Sequence, residues 1–193
     1  MKETQEQVNE YWKKDIWFYL REKGDEMFKF LASLIPLSCK YVLDAGCGEA
    51  LILKHLPKDV CYTGFDLSDY IIDKNWKTYE ERTAEGKAIF EVDDIFSPKE
   101  SDFYDCVLLL SVFASLSPSE ILNLLKTTKN KFHPKIIIAS SIEEHLTPVI
   151  VSEIRKEFKI MQEIHKTFSL IDKPVGVGTP EQLNYRVILL LEC

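Results

Sequence analysis

The chain has 193 residues, 46% of them apolar and 28% charged, which suits one folded domain with a full hydrophobic core and excludes a disordered or low-complexity polypeptide. Its net charge of −7 argues against a broad phosphate-binding surface, so nucleic acid is disfavoured as a partner. No apolar run approaches the roughly 18 residues of a membrane span, and the polar N-terminus has no signal-peptide pattern.

In chain order, residues 4–35 read as helix, broken at Gly24 and ended by Pro36. Tyr41 to Asp44 is a short apolar strand running into glycines. Residues 50–56 read as helix, closed by Pro57, and Val60 to Phe65 is a second strand ending at Asp66. Ser68 is placed to cap a helix from Asp69 to about Thr83. Ala88 to Val92 and Tyr104 to Leu110 are further strands. Ser117-Pro118-Ser119-Glu120 starts a helix, with proline at its first position. Lys135 to Ala139 is a fifth strand, and residues 147–158 read as helix. Ile160 to Phe168 and Tyr185 to Leu191 are two strands joined by a loop with no helix between them. Strands alternating with helices predict an α/β fold with a mostly parallel sheet and helices on both faces. The final two strands are expected to pair antiparallel. The five cysteines (39, 47, 61, 106 and 193) are scattered, odd in number and without a CxxC pair. Neither a disulfide framework nor a metal site is expected, and a reducing cytoplasm is the expected location.

The central chemical signal is Asp44-Ala45-Gly46-Cys47-Gly48-Glu49-Ala50. Glycines between a buried strand and a helix let the backbone turn tightly and let a ligand approach main-chain atoms. The dinucleotide-binding GxGxxG would need glycine at position 51, where Leu51 stands, so a nicotinamide cofactor is disfavoured. Asp66 ends the next strand about twenty residues on, and a carboxylate there can accept from both hydroxyls of a ribose.

At these residues the chain resembles the class I S-adenosylmethionine-dependent methyltransferases. Their first motif is an acid followed by GxGxG, and Ala50 replaces the last glycine. Gly64-Phe65-Asp66-Leu67-Ser68 is similar to the second motif, Phe90 to Ile95 to the third, and Tyr104 to Ser111 to the fourth. The resemblance implies S-adenosyl-L-methionine as cofactor and a Rossmann-like seven-stranded sheet with an antiparallel last strand. It implies one domain over 1–193, with a helical cap over 1–38 and a cofactor-binding core over 39–193. It implies cofactor contacts at Asp44, Gly46, Cys47, Gly48, Asp66, Leu67, Asp94, Ile95, Leu110 and Ser111. Within that set Asp66 holds the ribose and Asp94, favoured over Asp93, meets the adenine amino group. Leu67 and Ile95 flank the adenine, and a carbonyl of the fourth motif meets the methionine ammonium.

The acceptor is less legible. Among the four histidines only His145 follows the carboxyl end of a strand, which makes it the candidate general base, with Glu143 and Glu144 as orienters. Tyr11 and Trp12, in an aromatic N-terminal segment with Trp17, Phe18 and Tyr19, are candidate acceptor contacts. Arg21 is a candidate partner of the cofactor carboxylate or of a surface acid. The fourth motif lacks the Asn/Asp-Pro-Pro-Tyr of enzymes that act on nucleic-acid amino groups, having Leu110-Ser111-Val112-Phe113 instead. Little sequence lies beyond the core, so a small-molecule acceptor methylated on N or O is expected. RNA or protein as acceptor, or a non-catalytic cofactor-binding partner protein, are the alternatives.

Overall fold

The computed structural model describes residues 4–15, 18–99, 102–113, 116–169 and 185–193. Its seven strands are β1 Tyr41–Ala45, β2 Cys61–Asp66, β3 Ala88–Val92, β4 Cys106–Leu110, β5 Ile136–Ser141, β6 Lys159–Thr167 and β7 Tyr185–Glu192. They form one sheet in the order β3-β2-β1-β4-β5-β7-β6. Strands β1 to β5 pair in parallel. Strand β7 runs antiparallel to both β5 and β6. The expected fold class is the observed one.

The helices are α1 Gln5–Lys13, α2 Phe18–Lys23, α3 Asp25–Ser33, α4 Asp69–Thr78, α5 Glu80–Ala84, α6 Pro118–Phe132 and α7 Pro148–Glu157. Strands β1, β4, β5 and β7 are buried on both faces, which is why they read as unbroken apolar runs. Val42, Leu108, Ile138 and Ile188 face Met27 and Leu31 of α3. Leu43, Val107, Ile137 and Leu189 face Ile121, Leu124 and Leu125 of α6 and Ile150 and Ile154 of α7.

The predicted starts hold where a cap fixes them. Ser68 Oγ accepts from Ile71 N at 3.3 Å, and Ser117 with Glu120 forms a reciprocal capping box. Two helix readings are corrected. Residues 51–55 form a 3-10 helix, because Ala50 enters it at φ 51 and Pro57 leaves no room for α-helical turns to propagate. The helix after Ser68 stops at Thr78. Tyr79 Oη donates to Glu49 O at 3.1 Å and Ala50 O at 2.9 Å, and its ring stacks on Phe90, so a tertiary anchor overrides helix continuation. The chain order reverses between β1 and β4, and the carboxyl ends of these neighbours form the crevice where doubly wound sheets bind ligands. Among the described residues no helix is long and apolar enough to cross a membrane.

Candidate functional site

After β1 the chain turns through Gly46 at φ 76 and Gly48 at φ 50. Gly46 N and Cys47 N both donate to Phe65 O, at 2.8 and 2.9 Å, which ties the turn to the end of β2. A Cβ on Gly46 would lie 2.6 Å from Val112 Cγ1 and 3.9 Å from Ile95 Cδ1. The first, third and fourth motifs therefore meet at a place only glycine can occupy.

Asp66 closes the other side. Its side chain accepts from Gly48 N at 3.0 Å through Oδ2 and from Ser68 N at 2.9 Å through Oδ1. The residue is only 7% exposed, and burial raises its pKa while those amides oppose the shift. The turn and the second acid, eighteen positions apart, are thus one hydrogen-bonded unit. Leu67, half-buried, follows Asp66 at the mouth.

Asp44 sits beneath this unit at 2% exposure. Tyr62 Oη donates to its Oδ2 at 2.8 Å, while Oδ1 is buried without a hydrogen-bond partner. Burial pushes the carboxyl up to about 7, partly offset by the Tyr62 hydrogen bond. Gly64 makes room for this pair: a Cβ there would lie 2.9 Å from Tyr62 Cε1 and 3.0 Å from its oxygen. Cys47 is also buried and receives Asn75 Nδ2 at 3.8 Å; the same amide donates to Gly48 O at 2.6 Å.

The third acid lies in a local turn. Asp93 N donates to Asp66 O at 3.1 Å, Asp94 N to Asp93 Oδ1 at 2.9 Å, and Phe96 N to Asp94 Oδ1 at 2.9 Å. At the end of β4, half-buried Leu110 leads into Ser111, which adopts φ 63 and whose N donates to Ser140 O at 2.6 Å. A left-handed turn at a non-glycine residue beside a crevice is strain of the kind stored at ligand sites.

Helix α1 folds over the turn. The Trp12 ring lies against Gly48, whose Cβ would fall 2.7 Å from Trp12 Cη2. Asn9 Oδ1 accepts from Ser68 Oγ at 2.6 Å, and Asn9 Nδ2 donates to Asp69 at 2.9 Å. Trp12 therefore reaches the cofactor loop, whereas Tyr11 is 41% exposed. Trp17 and the side chains of Phe18 and Tyr19 lie outside the described residues, as does 170–184 of the β6–β7 loop. Of the two roles weighed for Arg21, the structure shows ion pairing: Nη1 meets Glu49 at 2.7 Å and Nη2 meets Asp15 at 2.6 Å. Lys74 joins the same Glu49 carboxylate at 2.5 Å.

His145 stands in the turn after β5, half-buried, with Nδ1 2.9 Å from Ser141 Oγ. Burial pushes its imidazole below the usual value; Glu144 opposes that shift and Arg186 adds to it. Ser141 is the hydrogen-bonded neighbour of the ring; Glu143 and Glu144, the expected orienters, are exposed, and Glu144 acts on the ring through its charge. The other histidines serve elsewhere. His55 pairs with Asp25, His133 ends α6 in a left-handed conformation, and His165 bonds Tyr185 and Glu163 on β6. Sequence reasoning missed Tyr62, Asn75 and Arg186. Arg186 carried a signal, being the one charge inside the apolar run from Tyr185 to Leu191.

The donor set suits S-adenosylmethionine. Asp44 Oδ1 is an orphaned buried acceptor fit for an ammonium, and Asp66 is a two-oxygen acceptor fit for a diol. A family model described as a methyltransferase domain matches residues 42–135. No curated protein matches the sequence. Among solved structures, magnesium protoporphyrin IX methyltransferase from Synechocystis PCC 6803, with bound SAM, superposes with TM-score 0.67 at 19% identity. That match covers 93% of this chain and 83% of the other. The N-methyltransferase NodS from Bradyrhizobium japonicum WM9 gives TM-score 0.65 at 10% identity, covering 90% and 96%. Pyrococcus abyssi tRNA (uracil-54, C5)-methyltransferase gives 0.59 at 19%, covering 86% of this chain but 37% of the other. At these identities the likeness is one of fold alone.

Proposed function

We propose that this chain, whose residues 42–135 match a methyltransferase domain and whose sheet has the class I, Rossmann-like order, is an S-adenosylmethionine-dependent methyltransferase that acts on an N or O atom of a small molecule. The observation that carries the choice of a small acceptor is the closure of α1 over the cofactor loop. Trp12 lies on Gly48 and Asn9 bridges Ser68 and Asp69, which narrows the approach for a polymer strand. The net charge of −7 supports the same reading.

S-adenosylmethionine supplies a methyl group on a cationic sulfonium, which leaves as a neutral thioether when the acceptor lone pair takes the methyl carbon. The chain's residues bind and orient. Asp66 accepts from the ribose hydroxyls while Gly48 N and Ser68 N fix its oxygens in place. Asp44, oriented by Tyr62, accepts from the ammonium together with a main-chain carbonyl at Leu110 or Ser111. Asp94 meets the adenine amino group, and Leu67 and Ile95 flank the ring. Holding the reactants in near-attack geometry provides much of the rate. His145, kept neutral by burial and held by Ser141, takes the acceptor's proton where one must leave.

The test offers methyl-labelled donor with three acceptor sources: a small-molecule pool, total RNA and soluble protein. Label is expected in the small molecules. Label confined to RNA or protein overturns the acceptor class. No label in any source, with S-adenosylhomocysteine bound tightly in calorimetry, points to a cofactor-binding partner protein.

A further inference from the structure

We propose that the outer edge of β6 pairs with the same edge of a second copy of this chain, antiparallel and centred on Ile164, so that two sheets join into one. The sheet ends in two edge strands, β3 and β6. In β3, Lys87 O accepts from Tyr62 N and Asp93 N donates to Asp66 O, so the odd-numbered residues face β2 and Phe90 and Val92 turn their carbonyls outward. Both carbonyls are taken: Trp76 Nε1 donates to Phe90 O and Lys99 Nζ to Val92 O, each at 3.0 Å. Side chains therefore close that edge. On the other flank, Ser140 O of β5 accepts from Ser111 N on the β4 side, and Lys135 O accepts from Cys193 N on the β7 side. Odd-numbered residues of β5 and β7 thus bond each other, and the even-numbered residues of β7 bond β6. Through the pairs of Leu190 with Gln162 and Ile188 with Ile164, Glu163, His165 and Thr167 are left with N–H and C=O pointing away from the sheet. Among the described residues no atom bonds those outward groups. The strand holds no proline, and its register shift lies at the other end, between Ile160 and Gln162. An edge left in this state is a template for another strand.

The side chains select a second copy as the occupant. Outward groups must meet outward groups, so a two-fold axis passes through a residue and not between two. An axis at Glu163 sets acid against acid, one at His165 sets imidazole against imidazole, and one at Lys166 sets ammonium against ammonium. An axis at Ile164 sets Ile164 on itself, Glu163 against the partner's His165, and Gln162 against the partner's Lys166. Like charges directly opposite destabilise a ladder, whereas complementary pairs support it. The two pairs of Glu163 with His165 are then hydrogen-bonded pairs, each exchanging two N–H···O bonds. Within one chain Glu163 already meets His165 Nε2 at 2.8 Å and Arg155, so pairing extends an existing network across the axis. Because the two β6 strands run oppositely, the two crevices open at opposite edges of the joined sheet. Each copy keeps its own site, and the interface is independent of the acceptor assigned above.

Sedimentation velocity of the full chain over roughly 1 to 200 μM is expected to show a reversible monomer–dimer equilibrium. His165→Pro removes an outward N–H and no bond to β7, so it is expected to raise the dimer dissociation constant at least about tenfold. The register is tested by charge. Glu163→Lys and His165→Glu each set like groups against one another and are expected to weaken self-association at least about tenfold, whereas an equal mixture of the two restores it. Ile164→Cys lies on the axis at a non-hydrogen-bonded pair, where Cα atoms are about 4.5 Å apart, and is expected to form a disulfide-linked dimer with oxidised glutathione that the parent, with its own cysteines, does not form. A chain that stays monomeric over the whole range overturns the proposal. So does a dimer that His165→Pro leaves at parental strength. A mixture of the two charge variants that associates no better than either alone, or an Ile164→Cys chain that cross-links no more than the parent, overturns the register.

Discussion

At the ends of β1 and β2 the Asp66 carboxylate and the glycine turn are held through backbone amides, whereas beyond β5 and on β7 the His145 and Arg186 side chains each meet a serine hydroxyl. Asp66 is gripped by Gly48 N and Ser68 N, and Phe65 O receives two amides of the glycine turn. On the other side, Ser141 meets His145 and Arg186 meets Ser111, each by a side-chain pair. Backbone-anchored groups keep their geometry when side chains are exchanged, so the first half can hold an invariant ligand. Side-chain pairs can be replaced one at a time, so under the proposed function the second half is where acceptor choice would vary.

The contrast can be broken first at Asp66. Asp66→Ala removes a carboxylate that would bind two hydroxyls, at about 1.5–3 kcal/mol for each hydrogen bond to a charged group, and should weaken S-adenosylhomocysteine binding by about two to four orders of magnitude. Calorimetry showing parental affinity would remove the ribose role. His145→Ala belongs to the other half and should slow turnover about 100-fold with cofactor affinity unchanged. Because the neutral ring is the working form and its pKa is lowered, the parent's rate should fall only on acidification below the ordinary histidine range. The variant should lack that limb in a pH–rate profile, and a parental rate would end the base assignment.

Gly64→Ala tests the packing that supports Asp44. The added methyl would meet the Tyr62 ring at 2.9 Å, and overpacking of this kind costs about 1–3 kcal/mol. A drop in Tm of about 2–4 °C per kcal/mol is expected, and no drop would show that Tyr62 moves freely. The smallest effect sharpens the view of Asp44 itself. Its carboxyl is held up to about 7, so below that pH a proton must leave before an ammonium can be accepted. S-adenosylhomocysteine affinity should therefore fall on going from pH 7 to pH 5.5, by at most about tenfold per unit, and Asp44→Asn should flatten the dependence. A flat profile in the parent would separate Asp44 from the ligand ammonium.

Much of the cofactor half was legible because its signals are local. Glycines at a strand end, an acid closing the next strand and Ser68 before a helix each act within a few residues of themselves. The break at Tyr79 was not legible, since the cause lies in the carbonyls of Glu49 and Ala50. The place of His145 after the carboxyl end of β5 was legible from strand order, but its hydrogen-bond partner Ser141 was not. Glu143 and Glu144 are nearer in sequence, yet the turn after β5 exposes them and folds the ring back onto Ser141.

By itself the sequence determined the alternation of strands and helices, the place of the glycine turn and the acids that end the strands. Burial periodicity and backbone strain are written residue by residue. Only the tertiary structure decided that β7 inserts between β5 and β6, bringing Arg186 to Ser111 across seventy-five positions. It also decided that Tyr62 crosses Gly64 to reach Asp44 and that Trp12 closes on Gly48. Those contacts depend on strand order and on side-chain direction over long separations, and neither leaves a local periodicity to read.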